Sequence, residues 1–245
     1  MLPLKPGPIG RNPALVVIDV QYDFTDPKAP VSCPACSVKG GTKQVIKNIK
    51  KVVDAARKAN IPIIFTKESH NPDFSDYGSE LLSVELSHTL SGTKAEKVVD
   101  VFKVERDMKG VAPGYLARPA EYFEHKRRYN IFFRTNIEHI LKTYDIDSII
   151  VTGVATNVCV LFSSQGAHER DYVFRVIREC TAGTDDYMHE AALKFLDYLQ
   201  PGGVQSMDAV LKALKKYKGN PIVKRVKKTG VVYPKPAVKK KLKKK

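Results

Sequence analysis

The sequence predicts an α/β fold: a doubly wound, mostly parallel sheet of five or six strands with helices on both faces. Three observations carry this. Short apolar runs alternate with longer amphipathic stretches, as in a parallel sheet whose strands are joined by crossover helices. One stretch, Gln44 to Ala59, sets Val45, Ile49, Val52, Val53 and Ala56 on a single helical face. And 245 residues, 43% of them hydrophobic, suffice for one continuous core.

The elements follow in order. "ALVVID" (14–19) is the first strand, 44–59 the first long helix and "IPIIFTK" (61–67) the second strand. Glu68 to Pro119 has weaker periodicity, with a helical piece around Lys94 to Lys103, and reads as an excursion that covers one end of the sheet as a lid. "YFEHK" (122–126) is a short strand, and Thr135 to Tyr144 a helix with Thr135 as its N-cap. "SIIVTG" (148–153) is a central strand, followed by a helix through Cys159 to about His168. Strand "YVFRVI" (172–177), helix "MHEAALKFLDYL" (188–199), a short "GGVQS" and a last helix from Met207 to Tyr217 complete the pattern. The domain is expected over residues 1–217. It contains no internal repeat and no glycine-rich phosphate loop.

The net charge of +15 is local. From Lys218 onward the chain has eleven lysines, one arginine and no acid, so removing those twelve cations leaves about +3 for the body. With Pro221, Pro234 and Pro236 and little to pack, residues 218–245 read as a basic, solvated tail. It would make weak, counterion-releasing contact with polyanions, or serve only solubility. Among its lysines only Tyr233 is aromatic, which argues against sequence-specific nucleic-acid reading. No run is long enough to span a membrane and the N-terminus lacks a signal-peptide core, so a cytoplasmic protein is expected. Four cysteines are too few for a disulfide framework and stay reduced there.

In doubly wound sheets, ligands bind beyond the carboxyl ends of the strands. Three reactive residues fall at such ends: Asp19, Lys126, and Cys159 just past the turn after "SIIVTG". Alone, Cys159 would be a core thiol; in that company it reads as a nucleophile. A thiol reacts as thiolate, so its proton must be taken or the anion stabilised. Asp19 is placed to take it, Lys126 supplies compensating charge, and a helix starting near Thr156 adds free backbone N–H groups.

The segments "ALVVIDVQYDF", "KRRYNIFFRTNIEHIL" and "IIVTGVATNVCV" resemble, in that order, the signature segments of the isochorismatase-like cysteine hydrolases. The resemblance runs from about Ala14 to Leu214 and implies the fold already inferred, a dimer or tetramer, and carbon–nitrogen bond cleavage through a thioester. It implies Asp19 as base, Cys159 as nucleophile and Lys126 as orienting cation. It also implies a cis peptide between Val154 and Ala155, with the Ala155 and Cys159 N–H groups as an oxyanion hole. Phe24 would form an apolar wall, and Tyr129 and Asn157 would hydrogen-bond the substrate.

The family's nicotinamidases hold a metal on the loop after the second strand. Here Glu68 and His70 fit two positions, but the third is Phe74, so no metal and no cofactor is expected. Asp73, Asp76 and Gly78 resemble loops of other members. Cys33 and Cys36 have redox or zinc spacing without the second pair a four-ligand site needs. Cys180 reads as a buried filler, and His125 should face away from Lys126. The expected activity is metal-independent hydrolysis of a small amide or N-carbamoyl (ureido) compound, ureidoacrylate-type first, releasing ammonia or an amine. The alternatives are a nicotinamidase, or a catalytically silent protein that binds through its basic tail.

Overall fold

The computed structural model describes residues 6–82, 87–104 and 118–229. Parts of the excursion (83–86 and 105–117) and residues 230–245 of the basic end lie outside the described residues. Six strands form one all-parallel sheet: β1 (Pro13–Ile18), β2 (Ile63–Glu68), β3 (Glu121–Lys126), β4 (Ser148–Val154), β5 (Val173–Ala182) and β6 (Val204–Gln205). Their order is β3-β2-β1-β4-β5-β6, so the winding reverses between β1 and β4. That reversal opens the crevice in which such sheets hold ligands.

Among the described residues the helices include α1 (Tyr22–Thr25), α2 (Gly41–Ala59), α3 (Ile137–Thr143), α4 (Leu161–His168), α5 (Asp186–Leu199), α6 (Met207–Lys216) and α7 (Pro221–Thr229). Leu15 and Val17 of β1 pack with Val45, Ile49, Val52 and Val53 of α2 and with Val210 and Leu214 of α6. Ala14, Val16 and Ile18 face the other way, onto a core with Ile140, Leu193 and Leu196 of α3 and α5. Covering both faces is what makes "ALVVI" apolar without alternation. Asp185 and Ser206 cap α5 and α6, their side chains accepting from Met188 N at 2.8 Å and Ala209 N at 3.3 Å.

Four expectations change. Thr135 is not the N-cap; α3 begins at Ile137 behind Asn136, and the Thr135 hydroxyl donates to the Ile131 carbonyl. The helical piece at 94–103 reduces to a 3₁₀ turn, Asp100–Phe102. β5 runs on to Ala182 past a register shift, so Cys180 lies inside the strand, fully buried. The basic end does not leave the domain at Lys218. Asn220 caps α7 through Ile222 N (2.9 Å) and Val223 N (3.1 Å), and α7 buries Val223 against the α3 side of the sheet. Among the described residues no helix is long and apolar enough to cross a membrane.

Candidate active site

The crevice between β1 and β4 is built from two backbone peculiarities. Asp19, just beyond β1, has a left-handed φ of 48°, which bulky non-glycine residues rarely adopt. Opposite it, Gly153 has φ 116°, and a Cβ there would lie 2.0 Å from the Ile18 carbonyl oxygen. Only glycine lets the two strands approach this closely, which accounts for the glycine of "VTGVAT". The Val154–Ala155 peptide that follows is cis. The chain then winds through a π-helical turn, Thr156–Val160, before α4 begins, and Cys159 sits in that turn. The Ala155 carbonyl accepts from Val158 N and Val160 N, both at 3.1 Å.

The three strand-end residues meet. Lys126 Nζ, at the end of β3, lies 2.7 Å from Asp19 Oδ2 and 3.4 Å from Cys159 Sγ. Thr66 of β2 steadies the aspartate, its hydroxyl donating to Asp19 Oδ1 at 2.7 Å and accepting from Asp19 N at 3.2 Å. A fourth group, read from the sequence only as a metal ligand, joins them. Glu68 Oε2 is 3.4 Å from Lys126 Nζ and 3.9 Å from Cys159 Sγ. One ligating atom each from Asp19, Glu68 and Cys159 lies within 4.8 Å of the other two.

All four are buried, and burial decides their protonation. Burial pushes the Asp19 carboxyl up; Lys126 opposes this and Glu68 adds to it, and the net shift is upward. Burial also raises Glu68, but Lys126, His70 and His88 outweigh it and bring it down to about 2. The Cys159 thiol is pushed well up by burial, against the pull of Lys126 and with the repulsion of Glu68 and Asp19. Lys126 rises well above its ordinary value, because Asp19, Cys159 and Glu68 overcome the cost of burying its charge. The group therefore rests with a neutral thiol beside a carboxyl whose affinity for a proton is enhanced.

Around that centre, Phe24 is buried with its ring tilted over His88 at 5.6 Å. Tyr129 stacks on Phe162 at 5.9 Å and lines, with Glu80, Arg128, Phe133 and Phe162, a cavity of about 650 Å³. Asn157 is placed differently from the expectation. Its side chain donates to Thr184 Oγ1 (3.0 Å) and accepts from Thr184 N (3.1 Å), so both ends are engaged within the fold. Ala155 is buried at the head of the turn. His125 is exposed and faces away from the centre. Cys33 and Cys36 form no disulfide; the buried one, Cys33, has its backbone N–H on the Phe24 carbonyl at 2.9 Å.

The loop after β2 supplies more ligands than its spacing showed. Phe74, at the position that argued against a metal, is exposed, whereas Glu80 and His88 close on Glu68 and His70 to form a buried four-residue cluster. His70 Nε2 lies 3.6 Å from Glu68 Oε1 and 3.4 Å from Glu80 Oε2, and Nδ1 is 3.5 Å from Asp76. Both His70 nitrogens, Glu68 Oε1 and both Glu80 oxygens lack a hydrogen bond. Burial would lower His70, but Glu68 and Glu80 raise it to about 9. Two imidazoles and two carboxylates, with orphaned donor atoms converging, fit a divalent transition metal such as zinc or manganese. Glu80 and His88 were missed because nothing in their spacing from His70 is regular; the available signal was two further ligand-type residues within the same excursion.

Residues 13–209 match the isochorismatase domain family. Over 188 residues the chain is 28% identical to the ureidoacrylate amidohydrolase RutB of Rhizobium rhizogenes, covering 74% of this chain and 75% of that one. An isochorismatase-like hydrolase from Alkaliphilus metalliredigens superposes with a TM-score of 0.66 at 26% identity, covering 82% of this chain and 98% of the other. A pyrazinamidase/nicotinamidase from Streptococcus mutans does so with a TM-score of 0.66 at 22% identity, covering 79% and 100%, a likeness that carries the fold. With the motifs, the strand order and the buried centre in agreement with that match, the chain belongs to the isochorismatase domain family.

Proposed function

We propose that the protein is a cysteine-dependent amidohydrolase that cleaves a non-peptide carbon–nitrogen bond in a small amide or N-carbamoyl compound, with ureidoacrylate-type substrates first. The observation that carries the reading is the meeting of Asp19, Lys126 and Cys159 at the reversal point of the sheet. The names of the curated relatives agree with the reaction class. Cys159 Sγ attacks the substrate carbonyl as its proton passes to Asp19. The oxyanion forms beside the Ala155 and Cys159 backbone N–H groups, where fixed dipoles are worth most. Collapse expels the nitrogen, which takes the proton from Asp19 and leaves as ammonia or an amine, and a thioester remains. Water then gives a proton to Asp19 and adds to the thioester; the thiol is expelled and reprotonated, and the acid is released. Lys126 keeps a positive charge against the centre throughout. Phe24 and Tyr129 wall the substrate, and Asn157 holds the turn through Thr184.

The test is a screen of ureido, carbamoyl and simple amide compounds for ammonia release, with Cys159→Ala as control. Activity should fall at least ~10³-fold in the variant. Equal rates in the two proteins would refute the mechanism.

One observation favours a second reading, a metal-assisted amidase of the nicotinamidase kind: the cluster of Glu68, His70, Glu80 and His88. A divalent ion held by those residues would polarise a ring nitrogen or carbonyl of the substrate. Elemental analysis of the purified protein, with nicotinamide in the same screen, separates the two. A stoichiometric metal lost in Glu80→Gln, together with nicotinamide turnover, selects the second.

A further inference from the structure

The turn that carries Cys159 is gripped from outside by residues with no contact to the reacting centre. Its first residue, Thr156, is fully buried, and its hydroxyl lies 2.9 Å from His189 Nδ1. The other ring nitrogen, Nε2, lies 2.9 Å from Ser37 Oγ. His189 is 2% exposed, on the face of α5 that also buries Ala192, Leu193 and Leu196. An apolar residue would fill that position at less cost, because an imidazole there must have both nitrogens satisfied. A neutral imidazole donates at one nitrogen and accepts at the other, and hydroxyl groups answer either role. The fit is close: a Cβ at Gly183 would lie 2.9 Å from Asn157 Oδ1 and 3.0 Å from the His189 Cβ. Ser37 is fixed in turn, since Ala35, two residues earlier, exchanges backbone hydrogen bonds of 3.1 and 2.7 Å with Gly183.

We propose that His189 is a positioning residue for the nucleophile: by clamping the Thr156 hydroxyl and anchoring itself on Ser37, it sets the π-helical turn so that Cys159 stays against Lys126. The inference rests on the reading of Cys159 as nucleophile. Thr156 shares one turn with Cys159, whose sulfur is only 3.4 Å from Lys126 Nζ, so releasing that hydroxyl moves the sulfur relative to its partners. A misplacement of about 1 Å at a reacting group costs on the order of a hundredfold in rate.

Two readouts test this, each with a melting curve to confirm folding. One is the rate of iodoacetamide alkylation at Cys159, followed by peptide mass spectrometry, which needs no substrate. The other is kcat and KM on the best amide. In His189→Ala, alkylation should slow about tenfold and kcat should fall about tenfold to a hundredfold with KM little changed. Thr156→Val should reproduce the loss, and the double variant should be no worse than either single one. The rescue is directional. His189→Asn keeps an amide near the place of Nδ1 and should recover both rates, whereas His189→Gln reaches toward Ser37 instead and should not. Parent-like alkylation and turnover in His189→Ala would overturn the proposal, as would rescue by glutamine rather than asparagine. If His189→Ala does not fold, parent-like rates in Thr156→Val overturn it equally. If the parent hydrolyses no amide at all, the hydrolase reading fails, and alkylation alone decides this inference.

Discussion

At the amino ends of the strands, the buried Ser148 and Asn220 and the half-buried Asn12 and Tyr217 form a hydrogen-bonded network of neutral side chains and backbone carbonyls, in which the single carboxylate, the part-exposed Asp147, accepts from Asn12 N and Ser148 Oγ, both at 2.9 Å. Asn12 Nδ2 donates to the carbonyls of Tyr144 (3.0 Å) and Asp145 (2.7 Å), and its Oδ1 accepts from Tyr217 (2.8 Å) and Asn220 (3.0 Å). Asn220 also donates to the Tyr144 carbonyl at 2.8 Å, and Ser148 to that of Ile9 at 3.0 Å. At the carboxyl ends, by contrast, Asp19, Glu68 and Lys126 are ionisable groups crowded on a thiol, and His70 and Glu80 beside them keep donor atoms without hydrogen bonds. Buried charge costs several kcal/mol per ion even after relaxation. The amino end is built as a stabilising network, whereas the carboxyl end tolerates a cost that only chemistry or a ligand explains.

Substitutions at the two ends should therefore part company. The largest effect is expected for Asp19→Asn, which removes the proposed proton acceptor at nearly constant volume. It should lower kcat/KM by about 10² to 10⁴ with little change in melting temperature; normal turnover would erase the functional side of the contrast. Lys126→Met should cost stability as well as activity, about 3–5 kcal/mol in urea unfolding, because two buried carboxylates lose their counter-charge. An unchanged urea midpoint would mean that the centre is far better solvated than its burial indicates. At the opposite end, Asn220→Ala should cost about 1–2 kcal/mol through the lost cap of α7 and leave kcat/KM unchanged; a fall in turnover would show that the two ends are not independent.

The smallest effect concerns acid. Burial raises Glu96, but the Ser69 hydroxyl, Lys67 (3.0 Å) and Gly92 N–H outweigh it and hold the carboxyl below its ordinary range. A carboxylate with a depressed folded pKa adds stability above its unfolded value, and that contribution is lost as pH falls through the folded one. Glu96→Gln should therefore narrow the stability difference between pH 7 and pH 3. An identical difference in parent and variant would remove Glu96 from the acid response.

What the sequence disclosed follows the same division. Asp19 and Lys126 were legible because each closes a strand and Cys159 because it follows the turn after one, and a parallel sheet gathers strand ends on one rim. Glu68 was seen, but only as a ligand, because its reach to Lys126 depends on the register of β2 with β3, in which the two residues are partners. Glu80 and His88 come from an irregular segment in which no period relates position to direction. The hydrogen bonds of Asn157 to Thr184 were not legible, because that partner lies 27 positions on. His189 was hidden as a lone polar residue on an apolar helical face. In α7 the lysines masked the half-buried Ile222 and the buried Val223, whose packing needed only the Asn220 cap to be noticed.

The most direct test of the account is rapid-quench mass spectrometry of the protein during turnover of its best amide. A covalent acyl group of substrate mass should appear on the peptide containing Cys159, accumulate within the first turnover and vanish as substrate is exhausted. Sustained hydrolysis with no modified peptide, and at the same rate in Cys159→Ala, would contradict it.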